Sequence, residues 1–353
     1  MRIGVVVLAS LVCVGFASPG DNLYEFDECK YACEYQKSCP GSQINYIDAS
    51  TNEFGDWRFD QCPLALSTLL FWDCISDCDY QCQQIITKTR IEAGEEILQF
   101  HGKWPFLRLF GTQELFSTLF SIGNFIPHYY GFQKLCDKIR KLENRGDTRR
   151  LALLRNYTYV AIAGMLAWSA STVFHLRDLL ITEKLDYFFA GGTVLTGFHA
   201  IFARMTRLDQ HPKVAKLFSL SVFFIFALHL LRLYIDWSYT YNMRFNVFFG
   251  LLQYVLLLLL AYQNYSSLKA PRYATQRRPY DKRAINTFNL CVVPVLLVGS
   301  TAMAMSFELF DFFLYNWQID AHALWHLCTI WPSWVLYKFF LHDFDFTTKA
   351  NLH

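Results

Sequence analysis

Residues 246–263 read NVFFGLLQYVLLLLLAYQ, a run without a single charged side chain. It approaches the ~20 residues needed to cross the hydrocarbon of a bilayer, and it is not isolated. From Trp104 onward, apolar stretches alternate with charge clusters. Candidate spans fall at about 105–130, 156–176, 185–204, 214–235, 246–263, 284–306 and 320–340, the first and last carrying polar residues and Pro near their ends. Composition agrees: of 353 residues, 53% are hydrophobic and 18% charged, with 33 Phe, 20 Tyr and 9 Trp. Soluble globular chains are roughly a quarter charged. A net charge of +2 excludes a strongly basic nucleic-acid binder, which concentrates Lys and Arg. The expected fold class is an all-α membrane protein, a seven-transmembrane helix bundle preceded by a small disulfide-rich lumenal domain.

Lys and Arg counts orient the bundle. The first, third and fifth loops hold eight, four and six; the second and fourth hold two each and the sixth none. Odd loops are therefore expected in the cytosol and even loops in the lumen, with a lumenal N-terminus and a cytosolic C-terminus. The start of the chain points the same way. Met1-Arg2, the apolar run Ile3 to Phe16 and the small residues Gly15 and Ala17 have the form of a secretory signal peptide cleaved after Ala17.

Seven of the eleven cysteines lie between Cys29 and Cys82. In an oxidising compartment such density predicts disulfides that staple a domain with little core of its own. Cys74, Cys78 and Cys82 fall at i, i+4 and i+8, and Cys29 and Cys33 at i, i+4, so two cysteine-bearing helices bridged to each other are expected. Zinc is the competing reading, but no histidine lies among these cysteines. Cys62, outside the paired spacings, is the expected leftover thiol. The chain then divides into a signal peptide (1–17), a cysteine-rich lumenal domain (18–103), a seven-span bundle (104–341) and a cytosolic tail (342–353). The sequons at Asn156 and Asn264 fall on the cytosolic side and are expected to stay unmodified.

Ionisable groups within spans are costly and mark function by default. Ser171 and His175 share one face at the lumenal end of the second span, Asp186 opens the third, and His322 and His326 share a face at the lumenal start of the seventh. Two histidines at i, i+4 can grip one divalent ion, and a third ligand from another helix, His175, completes a set with an open position. Three separate stretches thus meet at one membrane depth, which favours a metal site over structural histidines. His199 reads as a packed histidine, and His229 with Arg232 and Asp236 as either a substrate contact or a structural polar cluster. Glu308 and Asp311 read as partners for histidine N–H groups or as interfacial residues. His101, His128, His211, His342 and His353 read as surface groups.

At these residues the sequence resembles the CREST superfamily of seven-span membrane hydrolases, which includes the alkaline ceramidases. The shared pattern is Ser171-Thr-Val-Phe-His175, Asp186 and His322-Ala-Leu-Trp-His326. Within it the chain is similar to the Per1-like family of post-GPI-attachment remodelling proteins. That likeness rests on Trp72-Asp-Cys74…Cys78-Asp-Tyr-Gln-Cys82, Phe100-His-Gly-Lys-Trp-Pro-Phe106, Thr182-Glu-Lys-Leu-Asp186-Tyr-Phe188, and Glu308-Leu-Phe-Asp311-Phe followed by Asp320-Ala-His322. The resemblance implies removal of the sn-2 acyl chain from the phosphatidylinositol of GPI-anchored proteins, leaving a lyso form, in the endoplasmic reticulum of fungi or the Golgi of animals. Ester hydrolysis by a metal-activated water then assigns His175, His322 and His326 to Zn²⁺, Asp186 to the water as general base, and Ser171 as donor to the oxyanion or water. Ser171 as an acylated nucleophile is the weaker alternative, for want of a neighbouring base. Rival readings are a non-catalytic receptor or chaperone for GPI proteins, and a ceramide amidase. The cysteine-rich head argues against the amidase, because a small membrane lipid needs no folded lumenal domain for its recognition.

Overall fold

A computed structural model describes residues 18–42, 53–146, 151–269 and 280–350. The expected signal peptide lies outside these described residues. The chain forms two compact units, Met1–Glu114 and Leu115–His353.

The first unit is built on helices α1 (Tyr24–Gln36), α2 (Leu64–Leu69) and α3 (Cys74–Glu92). Asp73 caps α3, its carboxylate accepting from the Ser76 amide at 2.7 Å. The cysteine spacing does what it suggests: Cys29–Cys82, Cys33–Cys78 and Cys39–Cys74 bridge α1 and its C-terminal extension to α3 as an antiparallel ladder. Cys62 is free. Phe26, Ile86 and Phe100 pack on the buried sulfurs to form the small core. Beside it Asp77, fully buried, pairs with Lys37 at 2.9 Å and Arg108 at 2.8 Å, while the Arg108 guanidinium lies over Trp72 and Tyr80. Burial alone would raise the Asp77 carboxyl, but the two cations together hold it below the usual carboxylate range.

Two tight turns follow α3. Each is closed by a backbone bridge, Phe100 with Lys103 and Leu109 with Thr112, and each has two left-handed residues at its tip, His101-Gly102 and Phe110-Gly111. His101 sits on carboxylates, its Nε2 2.9 Å from Asp79 and its Nδ1 3.3 Å from Asp21.

The second unit contains α4 (Leu115–Glu143), α5 (Leu151–Leu176), α6 (Leu180–Met205), α7 (Pro212–Ile235) and α8 (Tyr239–Lys269). Then come α9 (Tyr280–Thr287), a π turn (Phe288–Val292), α10 (Val293–Phe310) and α11 (Ala321–Ala350). A short hairpin, β1 (Phe313–Leu314) with β2 (Ile319–Asp320), precedes α11. Among the described residues, four stretches are long and apolar enough to cross a membrane: Leu151–Leu176, Pro212–Ile235, Tyr239–Lys269 and Ala284–Phe310.

The helices depart from the expected limits at both ends of the unit. The first was expected from about residue 105 but begins at Leu115, because Pro105 and the left-handed Phe110-Gly111 turn interrupt any helix there. The last runs through Ala350, with Asp343 and Phe344 buried in the bundle. His128, expected at the surface, is buried, its Nδ1 2.6 Å from the Tyr337 hydroxyl. The reason is close helix approach: a Cβ on Gly164 would lie 2.0 Å from His128 Nδ1, and one on Gly131 2.3 Å from the Tyr337 ring. Leu135, Leu154, Tyr157, Leu260 and Phe340 centre the core, Tyr157 and Phe340 stacking at 4.0 Å between centroids.

A buried polar clasp ties this core to four helices and the π turn. Arg204 of α6 grips Asp343 of α11 through two nitrogens, one at 2.9 Å, and also donates to Asn264 of α8 at 3.3 Å. The Tyr157 hydroxyl of α5 donates to Asp343 at 3.3 Å. Asn264 donates in turn to the Leu290 carbonyl at 3.4 Å. Pro294, four residues on, has no N–H to offer that carbonyl, so Asn264 supplies the missing donor and the backbone widens into the π turn there. With its amide consumed and its side chain buried, Asn264 cannot accept a glycan in the folded chain.

Two outcomes are expected. Asp343→Ala strands a buried guanidinium and costs about 3–5 kcal/mol, measured as a lowered melting temperature in detergent. His101 has its pKa raised by its hydrogen bond to Asp79, against opposing burial and the Lys30 charge and with added attraction from Asp21. Its contribution is therefore full below the unfolded value near ~6.5 and is lost as pH rises through the higher folded value. The first unit should lose stability on alkalinisation across this window, and His101→Gln should flatten the dependence in a melting series at several pH values.

Candidate metal centre

Two helices deliver three imidazoles to one point. His175 occupies the last turn of α5, and His322 and His326 the first turns of α11. The start of α11 is set by Asp320, whose carboxylate accepts from the Ala323 amide at 2.8 Å. The β1–β2 hairpin holds Asp320 against Phe313, and the Ala321 amide donates to the Phe312 carbonyl at 2.9 Å. This capping aspartate fixes the entry angle of the helix and, with it, both histidines. His175 and His326 are buried and His322 is partly open.

The ligand atoms of the trio all lie within 4.8 Å of one another, with His322 Nε2 only 3.4 Å from His175 Nε2. Their neighbours decide which nitrogen carries hydrogen. His322 Nδ1 faces Glu308 Oε2 at 2.7 Å, and a carboxylate accepts, so Nδ1 donates and Nε2 keeps its lone pair. His326 Nδ1 lies 3.3 Å from the Ser117 carbonyl and 3.0 Å from Ser121 Oγ. A carbonyl cannot donate, so here too Nδ1 carries the hydrogen and Nε2 is left basic. Outward lone pairs brought this close repel unless a cation lies among them, and three nitrogen donors from two helices suit a divalent transition metal. Trp168 and Trp325 press on His326 with ring centroids 5.1 Å and 4.9 Å away, limiting how far the ligand can swing.

Ser171, one turn before His175, is buried, and its hydroxyl lies 3.2 Å from Ser121 Oγ. Ser121 Oγ is also 2.7 Å from the Ser117 carbonyl, which takes its only hydrogen. Ser121 thus receives from Ser171 and from His326 Nδ1. The hydrogen-bond partner of Ser171 is a hydroxyl rather than a base, which leaves it a weak nucleophile. Asp186, near the start of α6, is half-buried and stands outside the trio.

Glu308 orients His322, and its other oxygen accepts from the Tyr239 hydroxyl at 3.4 Å. Asp311 ends α10 in a left-handed conformation. His199 is packed as expected, stacked on Phe218 with Nε2 2.9 Å from Ser219 Oγ. His229 is buried against Phe245 at 3.7 Å, beside Tyr241, while Arg232 and Asp236 pair separately at the surface. In the first unit, the Cys39, Cys74 and Cys78 sulfurs also cluster, but all three are in disulfides and offer no thiolate.

Residues supplied by α4 carried no advance signal: Ser117 and Ser121 are unremarkable in a span, and Asn124, which donates to the His326 carbonyl at 2.6 Å, looks like any polar interruption. The Asp320 cap was legible in principle, as an aspartate just before an apolar helix.

A model described as the Per1-like family matches residues 63–344. The chain is 62% identical to Protein PER1 of Saccharomyces cerevisiae over the whole of both chains. It is 31% identical to the Drosophila melanogaster post-GPI attachment to proteins factor 3, covering 92% of this chain and 89% of that one. It is likewise 31% identical to the human GPI-specific phospholipase A2-like PGAP3, covering 96% and 92%. No solved structure matches the chain.

The orienting role of Glu308 has a measurable consequence. Glu308→Gln should weaken divalent-metal retention by about 10–100-fold, read by chelator titration with elemental analysis, while leaving the disulfides of the first unit intact.

Proposed function

The chain belongs to the Per1-like family, and we propose on that premise that it is a metal-dependent GPI phospholipase A2. In this reading it hydrolyses the sn-2 acyl ester of the phosphatidylinositol part of GPI-anchored proteins and leaves a lyso form. The substrate class is supported by the names of two relatives, a post-GPI attachment factor and a GPI-specific phospholipase A2-like protein. The observation that carries the chemistry is the convergence of His175, His322 and His326, two of them with Nδ1 committed to acceptors and Nε2 left basic.

His175, His322 and His326 would hold Zn²⁺, whose role when bound is to supply a water of pKa near ~7 and to polarise the ester carbonyl. Asp186 would serve as the general base towards the attacking water. Ser171 turns its hydroxyl from Ser121 towards the ester oxygen as negative charge develops, the preorganised-donor role that is worth about 10²–10³ in kcat. Burial of His175, His326 and Ser171 keeps bulk water from these groups. Glu308 and the Ser117 carbonyl hold two of the imidazoles in the tautomer a metal would need.

The proposed setting is the membrane of the endoplasmic reticulum, with the Golgi as alternative. A signal peptide (1–17) is removed, the cysteine-rich unit is lumenal, seven spans lie within the helical unit that follows it, and the C-terminus is cytosolic. The lysine and arginine asymmetry supports this orientation, which puts the histidines at the leaflet where GPI-anchored proteins reside.

Mass spectrometry of GPI lipids tests the proposal. Cells whose only copy carries His326→Ala, at unchanged protein level, should accumulate diacyl GPI species and lack the lyso form. Normal lyso-GPI formation in those cells would sink the enzymatic reading, and ceramide cleavage without lyso-GPI formation by the unmodified protein would replace the substrate class. Ser171→Ala should keep its metal, about one zinc per chain, yet lose activity by the ~10²–10³ expected of an oxyanion donor.

A further inference from the structure

In the first unit, Pro63 to Trp72 reads PLALSTLLFW, with no charged residue. No residue of α2, which lies within it, is buried. Leu64 is 78% exposed, Leu69 74% and Phe71 66%, and Phe110, at the tip of the second tight turn, is 95% exposed. These tips belong together: a Cβ on Gly111 would fall 2.4 Å from the Leu66 side chain and 3.0 Å from that of Leu70, so the Phe110 turn rests directly on α2.

The backbone makes the exposure costly twice over. Phe110 has φ +53° and Phe71 φ +55°, both left-handed. Phe71 follows the end of α2, where glycine is the common residue. Phe110 holds the first tip position of a two-residue turn that usually takes Asn, Asp or Gly. Strain retained at an exposed apolar tip points to function rather than to packing.

We propose that this face of the cysteine-rich unit rests on a lipid surface, with Phe71 and Phe110 inserted at the boundary of headgroups and acyl chains and Leu64 and Leu69 beside them. The proposal rests on the second unit being a membrane bundle. The occupant follows from connectivity and chemistry. Phe110 precedes the start of α4 at Leu115 by five residues, and such a stretch spans at most about 18 Å. The turn is therefore tethered close to where the chain joins the bundle. Large apolar tips on a stretch that carries no charged side chain from Pro63 to Trp72 suit the interfacial layer of a bilayer.

The test uses the full chain reconstituted in phosphatidylcholine bilayers doped with a diazirine-bearing phospholipid, photolysed and mapped by peptide mass spectrometry. Label is expected on the peptides containing Phe71 and Phe110 as well as on Pro212–Ile235. The double variant Phe71→Gly with Phe110→Gly relieves both left-handed positions, so the unit should fold at least as well, with its three disulfides intact. It should lose the label from these peptides and keep it on Pro212–Ile235. Absence of label at Phe71 and Phe110 alongside a labelled Pro212–Ile235 would overturn the proposal. So would chemical cross-links joining two copies through Pro63–Phe71, which would give the face to a second chain. Absence of label everywhere would remove the bundle itself and the proposal with it.

Discussion

A polar side chain facing hydrocarbon has only the protein to bond to, and the second unit is organised around that constraint. Its buried polar groups gather into two knots. One, near the start of α11, joins the histidine trio to Ser121, Ser171 and Glu308. The other, near the end of the same helix, joins Asp343 to Arg204, Asn264 and Tyr157. The intervening turns of α11 pack Tyr337, Phe339 and Phe340 into the apolar core. One helix is therefore held at both ends by directional bonds and in the middle by packing, a rigid mount for the two histidines it carries.

The same constraint explains why the bundle is visible in composition yet uneven along the chain. The apolar stretches of α7, α8 and the π-turn helix announce themselves, since few polar duties fall on their windows. Helix α4 gives Ser121 to the knots, α6 gives Arg204, and α11 gives His322, His326 and Asp343, and such polar side chains lower the mean hydropathy of those helices. The histidines and Ser171 were legible because i, i+4 spacing is a local property of one helix. The disulfide ladder was legible for the same reason, with Cys62 set apart by its spacing. Ser121, Ser117 and Asn124 were not, because their roles come only from α4 lying against α5 and α11. The start of α4 was misplaced because periodicity alone does not see a left-handed turn at Phe110-Gly111. His128 was misjudged because the glycine that admits it, Gly164, lies on another helix, and Gly131 makes room for its partner Tyr337 rather than for His128 itself.

Hydrogen-bond direction turns these contacts into chemistry. Three imidazoles near one another could be a stacked polar cluster like the one at His229, which has rings and a phenol about it but no acceptor that fixes its tautomer. At the trio, Glu308 and the Ser117 carbonyl remove that freedom and leave Nε2 of His322 and His326 basic. The distinction lies in the surrounding acceptors rather than in the histidines, and a histidine motif alone does not carry it.

The two glycines bear on how sequence variants of this chain should be interpreted. Gly131 and Gly164 lie turns away from the histidine trio and bear no functional group. Yet a single methyl at either would have to displace Tyr337 or His128, and so push apart the helices that present Ser121, Ser171 and the histidines. Clinical-style scoring that weighs only the chemistry of the exchanged side chain would pass glycine to alanine as benign. At these two sites the missing atom is itself the functional element, and tolerance should be judged by room rather than by residue class.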